Sequence, residues 1–373
     1  MSSYLALLSF AVLGFALEMH LVFVNVIIGA TVLTVVTRYL AYLRRDPGLE
    51  SVAKGMFRLM VVTELFGGVW GTILTVFMAG LFPSMTAIFT RTYFYPIAIA
   101  LVGILVSIPL IAIYWHLWGR VNPRTHSLIG VPPLAISVLL VPVGFRYLFA
   151  GLDYPQYIMT NSLAVFSNPI YPPLIIHTLI GAMDIGGAFV TASVLATRRN
   201  MNINGMRIAL GTGLVLLVPQ AIAGGAYYFT VLGRYDPYIV SNIAGPLLGY
   251  DPGTALFYPA FYTAITLTIA LGATALYAFY AAMQGRVVRP AVIGTGFLAE
   301  AILVLMEYVN DGSRYPYLFL SGNSGIPITQ LLNTLIPLPL IAIYTMLLST
   351  LIFTAIFTIT LYYAIIRRFL PED

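Results

Sequence analysis

The chain has 373 residues, of which 60% are hydrophobic and only 8% are charged. Soluble domains carry about 25% charged residues, so the composition excludes an ordinary soluble protein and indicates a polytopic membrane protein. The chain has no cysteine, which excludes disulfides, iron–sulfur clusters, thiolate-ligated haem and covalently attached c-type haem within it.

Nine apolar segments are each long enough to cross about 30 Å of hydrocarbon. They predict an all-α helical bundle that spans the membrane about nine times. No part of the chain has the composition of a separate soluble domain, so residues 1–373 are predicted to form a single transmembrane bundle. In chain order the segments are 5–38, 57–81, 94–118, 128–151, 171–196, 206–231, 256–283, 290–309 and 335–366.

The basic residues predict the orientation of this bundle. Of the 18 lysines and arginines, 14 follow segments 1, 3, 5 and 7 or lie at the C-terminus. By the positive-inside rule, the N-terminus is outside and the C-terminus is cytoplasmic. The net charge of +5 then reflects topology and contact with anionic membrane lipid, not nucleic acid. We expect a multi-pass protein of the plasma membrane.

Ionisable residues inside the segments are few, and an ionisable group in a membrane span is usually functional. The first segment carries Glu18 and His20, which point to nearly opposite sides of a helix. His20 therefore forms either an interhelical hydrogen bond or a ligand bond without help from Glu18. Glu64 in the second segment is either a proton-path carboxylate or a hydrogen-bonded packing residue. Arg146 in the fourth can pair with a haem propionate or with a local carboxylate.

Two later segments carry ionisable pairs spaced seven residues apart, so that each pair shares one helix face. His177 and Asp184 form the first pair, among glycines that allow close approach of a helix or a planar ligand. This pattern fits a packing seam and a haem ligand equally well.

Glu300 and Glu307 form the second pair. Their face must look into the protein, a water cavity, a cation or a cofactor, because lipid would be costly for a carboxylate.

Read together, these positions resemble subunit I of the cytochrome bd quinol oxidases. That family has nine spans and a first-span histidine in a Tyr-His-Phe-Leu-Phe-Val context, which Met19–Val24 resembles. Its fifth span opens Phe-Asn-Pro and then carries His-Thr, similar to Ser167–Pro169 and His177-Thr178. Its eighth span has Glu-Ala, five residues and Glu-Tyr, the spacing of Glu300–Tyr308. The family's following Gly-Arg-Gln-Pro-Trp turn is similar to Gly312–Tyr317.

The resemblance implies that His20 and Glu307 correspond to axial ligands of paired haems, and His177 to the histidine of a third, low-spin haem. It also makes Glu300, Arg146 and Arg314 candidate cofactor-binding residues. The implied cofactor is haem, b-type or alternatively d-type, with one to three per chain. The implied partners are other membrane or redox subunits of a respiratory complex, and a quinone.

The chain also departs from the family at positions that matter for function. The seventh-span methionine that ligates the low-spin haem aligns with Thr268. Two proton-path glutamates of the third span align with Ile99 and Ser107. The quinol-binding loop after the sixth span is reduced to about 233–255.

These departures favour an electron-transferring, haem-binding subunit of a respiratory complex. The alternatives are a divergent quinol:oxygen oxidoreductase with another proton route, such as one through Glu64, and a haem-free scaffold or transporter.

Overall fold

The structure is a computed structural model. It describes residues 3–155, 163–198, 202–245, 257–331 and 339–365, with the backbone alone at some positions, including 3–7 and 139–145. Arg367, Arg368 and the whole of the 246–256 connection lie outside the described residues.

Helices make up nearly all of the first half of the chain. They are α1 (Ser3–Arg44), α2 (Pro47–Leu81), α3 (Pro83–Thr92), α4 (Phe94–His116), α5 (Pro123–Ile129), α6 (Val131–Ala135), a π-helical stretch (Ile136–Leu140) and α7 (Val141–Asp153).

The second half is also helical, apart from one hairpin. Its elements are a 3₁₀ turn (Ala164–Ser167), α8 (Tyr171–Gly181), a second π-helical stretch (Ala182–Phe189), α9 (Val190–Ala196), α10 (Ile203–Gly225), a third π-helical stretch (Ala226–Leu232), α11 (Gly233–Tyr235), α12 (Pro237–Ala244), α13 (Tyr258–Met283), α14 (Arg289–Gly312), β1 (Tyr317–Ser321), β2 (Ser324–Pro327), a 3₁₀ turn (Ile328–Leu331) and α15 (Leu340–Ile365).

The predicted membrane-spanning bundle is confirmed. Within the described residues, eight helical stretches are long and apolar enough to cross a membrane, and they correspond to eight of the nine predicted segments. The fourth predicted segment, 128–151, corresponds mainly to the continuous helical run 131–153, which a π-helical stretch divides. The predicted direction of insertion remains a prediction.

Asparagine and aspartate caps explain where several helices begin. The Asp46 carboxylate accepts hydrogen bonds from the backbone N–H groups of Gly48 and Leu49 at the start of α2. Asn122 caps α5 and Asn202 caps α10 in the same way. Such caps satisfy N–H groups that have no partner inside the helix.

Short elements cover one end of the bundle, which we call the cap: α3, α12 and the β1–β2 hairpin. Their side chains share one apolar cluster with the adjoining ends of α1, α7 and α8. The two strands of the hairpin pair antiparallel. The hairpin lies in the connection between the last two predicted spans, where only turns were expected.

A polar cluster ties helices together near the start of α5. The Nε2–H of His126 donates to the Tyr114 carbonyl at 2.9 Å, and its Nδ1 accepts from Arg38 Nε at 3.1 Å. Arg38 also pairs with Glu50 at 3.4 Å. Burial lowers the pKa of His126, in keeping with a neutral ring that both donates and accepts. This histidine is therefore structural.

Candidate functional site

A cavity of about 440 Å³ lies between α8, α10, α13 and α14. This volume falls within the roughly 300–1,000 Å³ typical of small-molecule and cofactor sites. Most of the wall is apolar, and α1 and α7 each add one polar side chain. The polar side chains in the wall are those of Asn25, Arg146, His177, Thr178, Gln220, Tyr227, Tyr228, Thr268, Glu307 and Asn310.

His177 projects from α8 into this wall beside a glycine of α10. A Cβ at Gly224 would lie 2.9 Å from the Cε1 atom of the imidazole, so only glycine leaves room for the ring at this distance. The ring of Tyr227 stacks on the imidazole with centroids 6.0 Å apart. The buried Nδ1 atom has no hydrogen-bond partner among the described residues. An imidazole with an unused nitrogen in an apolar cavity has the chemistry of a metal ligand.

Glu307 enters the same cavity from α14, where it meets Arg146 of α7. The Nη2 atom of Arg146 lies 2.5 Å from Oε1 of Glu307, and Nη1 lies 3.5 Å from Oε2. Both residues are buried, and the guanidinium also lies over the ring of Phe149 at 5.2 Å. Of the two pairings that the sequence left open for Arg146, the structure shows the one with a carboxylate.

Arg314 forms a second buried ion pair, close to the first but outside the cavity wall. Its guanidinium donates to both oxygens of Asp153, with Nη2 2.9 Å from Oδ2. It also donates to the Asn310 carbonyl. The Cζ atom of Arg314 lies 5.4 Å from the centroid of the Phe149 ring. Asp236, just before α12, is fully buried next to this pair. Burial, with a smaller contribution from Asp153, raises the pKa of Asp236 to about 8.

His20 lies on α1, outside the wall of the cavity. Its Nδ1 is 2.9 Å from the Gly67 carbonyl oxygen. A carbonyl only accepts, so the ring proton is on Nδ1 and the lone pair of Nε2 is free to bind a metal. A Cβ at Gly71 would lie 3.0 Å from the ring. The structure thus does not bring His20 into the cavity with His177 and Glu307.

Glu300 is half-buried two turns before Glu307 on α14 and does not line the cavity. Its Oε2 atom is buried without a hydrogen-bond partner among the described residues. Asp184, in the second π-helical stretch, is fully buried, and neither of its oxygens has a partner there. Orphaned polar atoms of this kind call for water, a proton or a ligand.

Thr268 lines the cavity, where the family pattern has a methionine, and its hydroxyl donates to the Ala264 carbonyl at 2.8 Å. Met306 also lines the cavity, which was not predicted from the sequence. Its position next to Glu307 in the sequence was the available signal. On α4, Ile99 is 44% exposed, while the Ser107 hydroxyl donates to the Ile104 carbonyl in its own helix.

The fold and this cavity define a multi-pass helical membrane protein with a cofactor-sized site. A family model, cytochrome bd terminal oxidase subunit I, matches residues 8–238, more than half of the chain. The chain therefore belongs to the cytochrome bd terminal oxidase subunit I family, and it is a haem-binding membrane subunit of a respiratory oxidase.

A solved structure supports the fold independently. A chain in the structure of bd oxidase from Geobacillus thermodenitrificans is similar to this one with a TM-score of 0.78 and 16% identity. The similarity covers 99% of this chain and 100% of that chain. No curated protein matches the chain.

The residues present fit the haem that the family implies. His177 offers an imidazole in an apolar cavity, with Gly224 leaving space at the ring. His20 offers a free Nε2 while Nδ1 is held by a carbonyl. Glu307 offers a carboxylate, although Arg146 engages both of its oxygens in this structure. The three candidate ligands therefore have suitable donor atoms, in two separate surroundings.

Proposed function

We propose that the chain holds haem in the cavity, where His177 would ligate the iron, and that it transfers electrons between a quinone and other subunits of the oxidase. The observation that carries this proposal is the His177 imidazole in the wall of an apolar cavity, beside a glycine that makes room for it. Haem would supply the redox chemistry, while the protein supplies ligation, burial and position.

We further propose that His20 and Glu307 bind haem iron. His20 is supported by the hydrogen bond from Nδ1–H to the Gly67 carbonyl, the usual arrangement of a ligating histidine. Glu307 is supported by its place in the cavity wall. The chain then carries one to three haems. They are b-type, with d-type as the alternative. Covalent c-type haem is excluded, because a chain without cysteine cannot attach haem through thioether bonds.

Arg146 and Arg314 would act on the haem through electrostatics. Their guanidinium groups are already paired with Glu307 and Asp153, so a propionate would have to share them. Glu300, outside the cavity wall, would serve a cofactor through water or a proton.

A haem assay on the purified complex tests the proposal. A pyridine haemochrome spectrum gives the haem type, and its intensity per chain gives the number. Absence of a Soret band from a well-folded preparation would reject haem binding, whereas a count above three per chain would reject the ligand assignment.

A second candidate function is quinol:oxygen oxidoreduction by this chain. It is favoured by the buried, unpartnered carboxyl oxygens of Glu18, Asp184 and Glu300, which can carry protons where the side chain of Ile99 cannot. Oxygen uptake with a reduced quinol separates the two functions.

A further inference from the structure

We propose that Asp311 is the alternative counter-ion of Arg146, and that it pairs with the guanidinium when Glu307 serves as a metal ligand. This inference rests on the proposed ligand role of Glu307. It assigns Asp311 as a positioning residue, which acts on the ligand through Arg146.

The starting point is the geometry of the Arg146–Glu307 pair. The Nη2 atom of Arg146 faces Oε1 of Glu307 at 2.5 Å, and Nη1 faces Oε2 at 3.5 Å. The guanidinium therefore occupies the carboxylate lone pairs that a metal would use. Ligation by Glu307 therefore requires that this pair open at least in part.

Opening the pair would leave the positive charge of Arg146 without a counter-ion. The Arg146 side chain is buried, and a guanidinium does not lose its proton in a protein. Removing one partner of a buried ion pair leaves an uncompensated charge, which is strongly destabilising. A second anion within reach is therefore needed before Glu307 can serve as a ligand.

Asp311 meets this need. It follows Glu307 by four residues on α14, about 40° around the helix axis, so the two carboxylates share a face. Both of its oxygens are buried without a hydrogen-bond partner among the described residues. Asp311 also lies within charge–charge range of Arg146.

The other nearby carboxylates are less suited to this role. Asp153 uses both oxygens to bind Arg314. Glu18 of α1 has one unpartnered oxygen and lies within charge–charge range of Arg146 as well as of Glu307 and Asp311, but the carboxylates that act most strongly on Arg146 are Glu307 and Asp311. Asp236 interacts with Asp153 and Arg314 instead. Asp236 thus provides a matched control, a buried aspartate next to the other arginine.

The test measures haem bound to the purified complex, by haemochrome content and by the high-spin ferric EPR signal. In the Asp311→Asn variant the intensity of the high-spin EPR signal should fall roughly tenfold, while the low-spin haem remains. A tenfold effect corresponds to a coupling energy typical of two groups in contact. The Asp236→Asn variant should keep both signals. The Arg146→Met/Asp311→Asn variant should regain the high-spin signal, because no guanidinium then competes for Glu307.

The outcomes separate this inference from the ligand assignment beneath it. If Glu307→Gln leaves the high-spin signal intact, the ligand role fails and the inference fails with it. If Glu307→Gln abolishes the signal but Asp311→Asn does not, only the inference is overturned. If Asp311→Asn does not accumulate as folded protein, the double variant decides. Recovery of haem-loaded protein supports an unpaired guanidinium as the cause, and failure of both variants overturns it.

Discussion

Arg146 and Glu307 lie 161 residues apart in the sequence and form a two-point ion pair in the wall of the cavity, with Nη2 2.5 Å from Oε1. Each residue alone would be an uncompensated charge within a membrane bundle. Together they place a carboxylate, a guanidinium and the His177 imidazole around one space. This pair therefore bears both on the stability of the bundle and on the proposed haem site.

The first prediction separates the structural role of this pair from its proposed role in ligation. A Glu307→Leu variant should be less stable than the unmodified protein, by at most about 3–5 kcal/mol, because Arg146 loses its closest carboxylate and has only Asp311 to replace it. The Arg146→Met/Glu307→Leu variant should regain most of that loss, since apolar replacements often match a buried ion pair.

Thermal unfolding in detergent measures the stabilities, and the EPR spectrum measures the high-spin haem. The double variant should be stable yet lack the high-spin signal. A stable double variant that keeps the signal would show that Glu307 is not a ligand.

The second prediction concerns His177. Replacement by alanine should remove the low-spin haem and lower the haem content per chain, because no other imidazole lines the described part of the cavity. His116→Ala is the control, since His116 is exposed at the end of α4 and contacts Arg120. Equal haem content and equal spectra in the two variants would contradict the assignment.

The third prediction tests whether Thr268 faces the iron of a haem held by His177. Methionine ligation raises haem potential, and Thr268 stands in the cavity wall where the family pattern has methionine. The Thr268→Met variant should therefore show a higher midpoint potential and a low-spin spectrum of the His–Met type. Thr266→Met, on the exposed side of α13, should leave both unchanged.

Redox titration of the purified protein gives the potentials. An unchanged potential in Thr268→Met would show that Thr268 does not face the iron. A His–Met spectrum already present in the unmodified protein would point to Met306, which lines the same cavity.

The fourth prediction is a pH dependence of stability that comes from Asp236. Burial raises the pKa of Asp236 to about 8, above about 4 for an unfolded aspartate. Between these values the folded protein holds a proton that the unfolded chain has lost, so the free energy of unfolding falls as pH rises from about 4 to about 8.

The Asp236→Asn variant should lose this component. Its melting temperature should vary less between pH 5 and pH 8 than that of the unmodified protein. The difference should correspond to the release of roughly one proton, that of Asp236, on unfolding. Two parallel curves would show that Asp236 does not titrate differently on unfolding.

Much of the bundle could be predicted because a span of about 20 apolar residues is a local signal. Thr268, which aligns with the family's methionine, lines the same cavity as His177. Pairing was harder to foresee. The partner of Arg146 lies 161 residues away, and no periodicity links α7 to α14.

Other features depended on tertiary contacts as well. The β1–β2 hairpin packs against α3 and α12 through contacts such as Phe89–Phe319 and Tyr238–Tyr317, which a turn-rich segment does not reveal by itself. His20 and Glu307 were expected to correspond to ligands of paired haems, and their different surroundings, Glu307 in the cavity wall and His20 beside the Gly67 carbonyl, could not be read from the sequence.

The last prediction is that this chain does not by itself sustain quinol oxidase turnover. Reduction of oxygen consumes protons inside the bundle, and they must arrive along polar side chains or water. On α4, Ile99 is 44% exposed on the outer surface of the chain and cannot relay a proton. The Ser107 hydroxyl is committed to a carbonyl of its own helix at 2.8 Å. Electron transfer between haems needs no such supply of protons.

Oxygen consumption by the purified protein with a reduced quinol, with cyanide and heat-inactivated controls, should therefore stay well below about one turnover per second. Sustained turnover above that rate, lost in Asp184→Asn or Glu300→Gln, would instead establish these buried carboxyls as the proton route of a working oxidase.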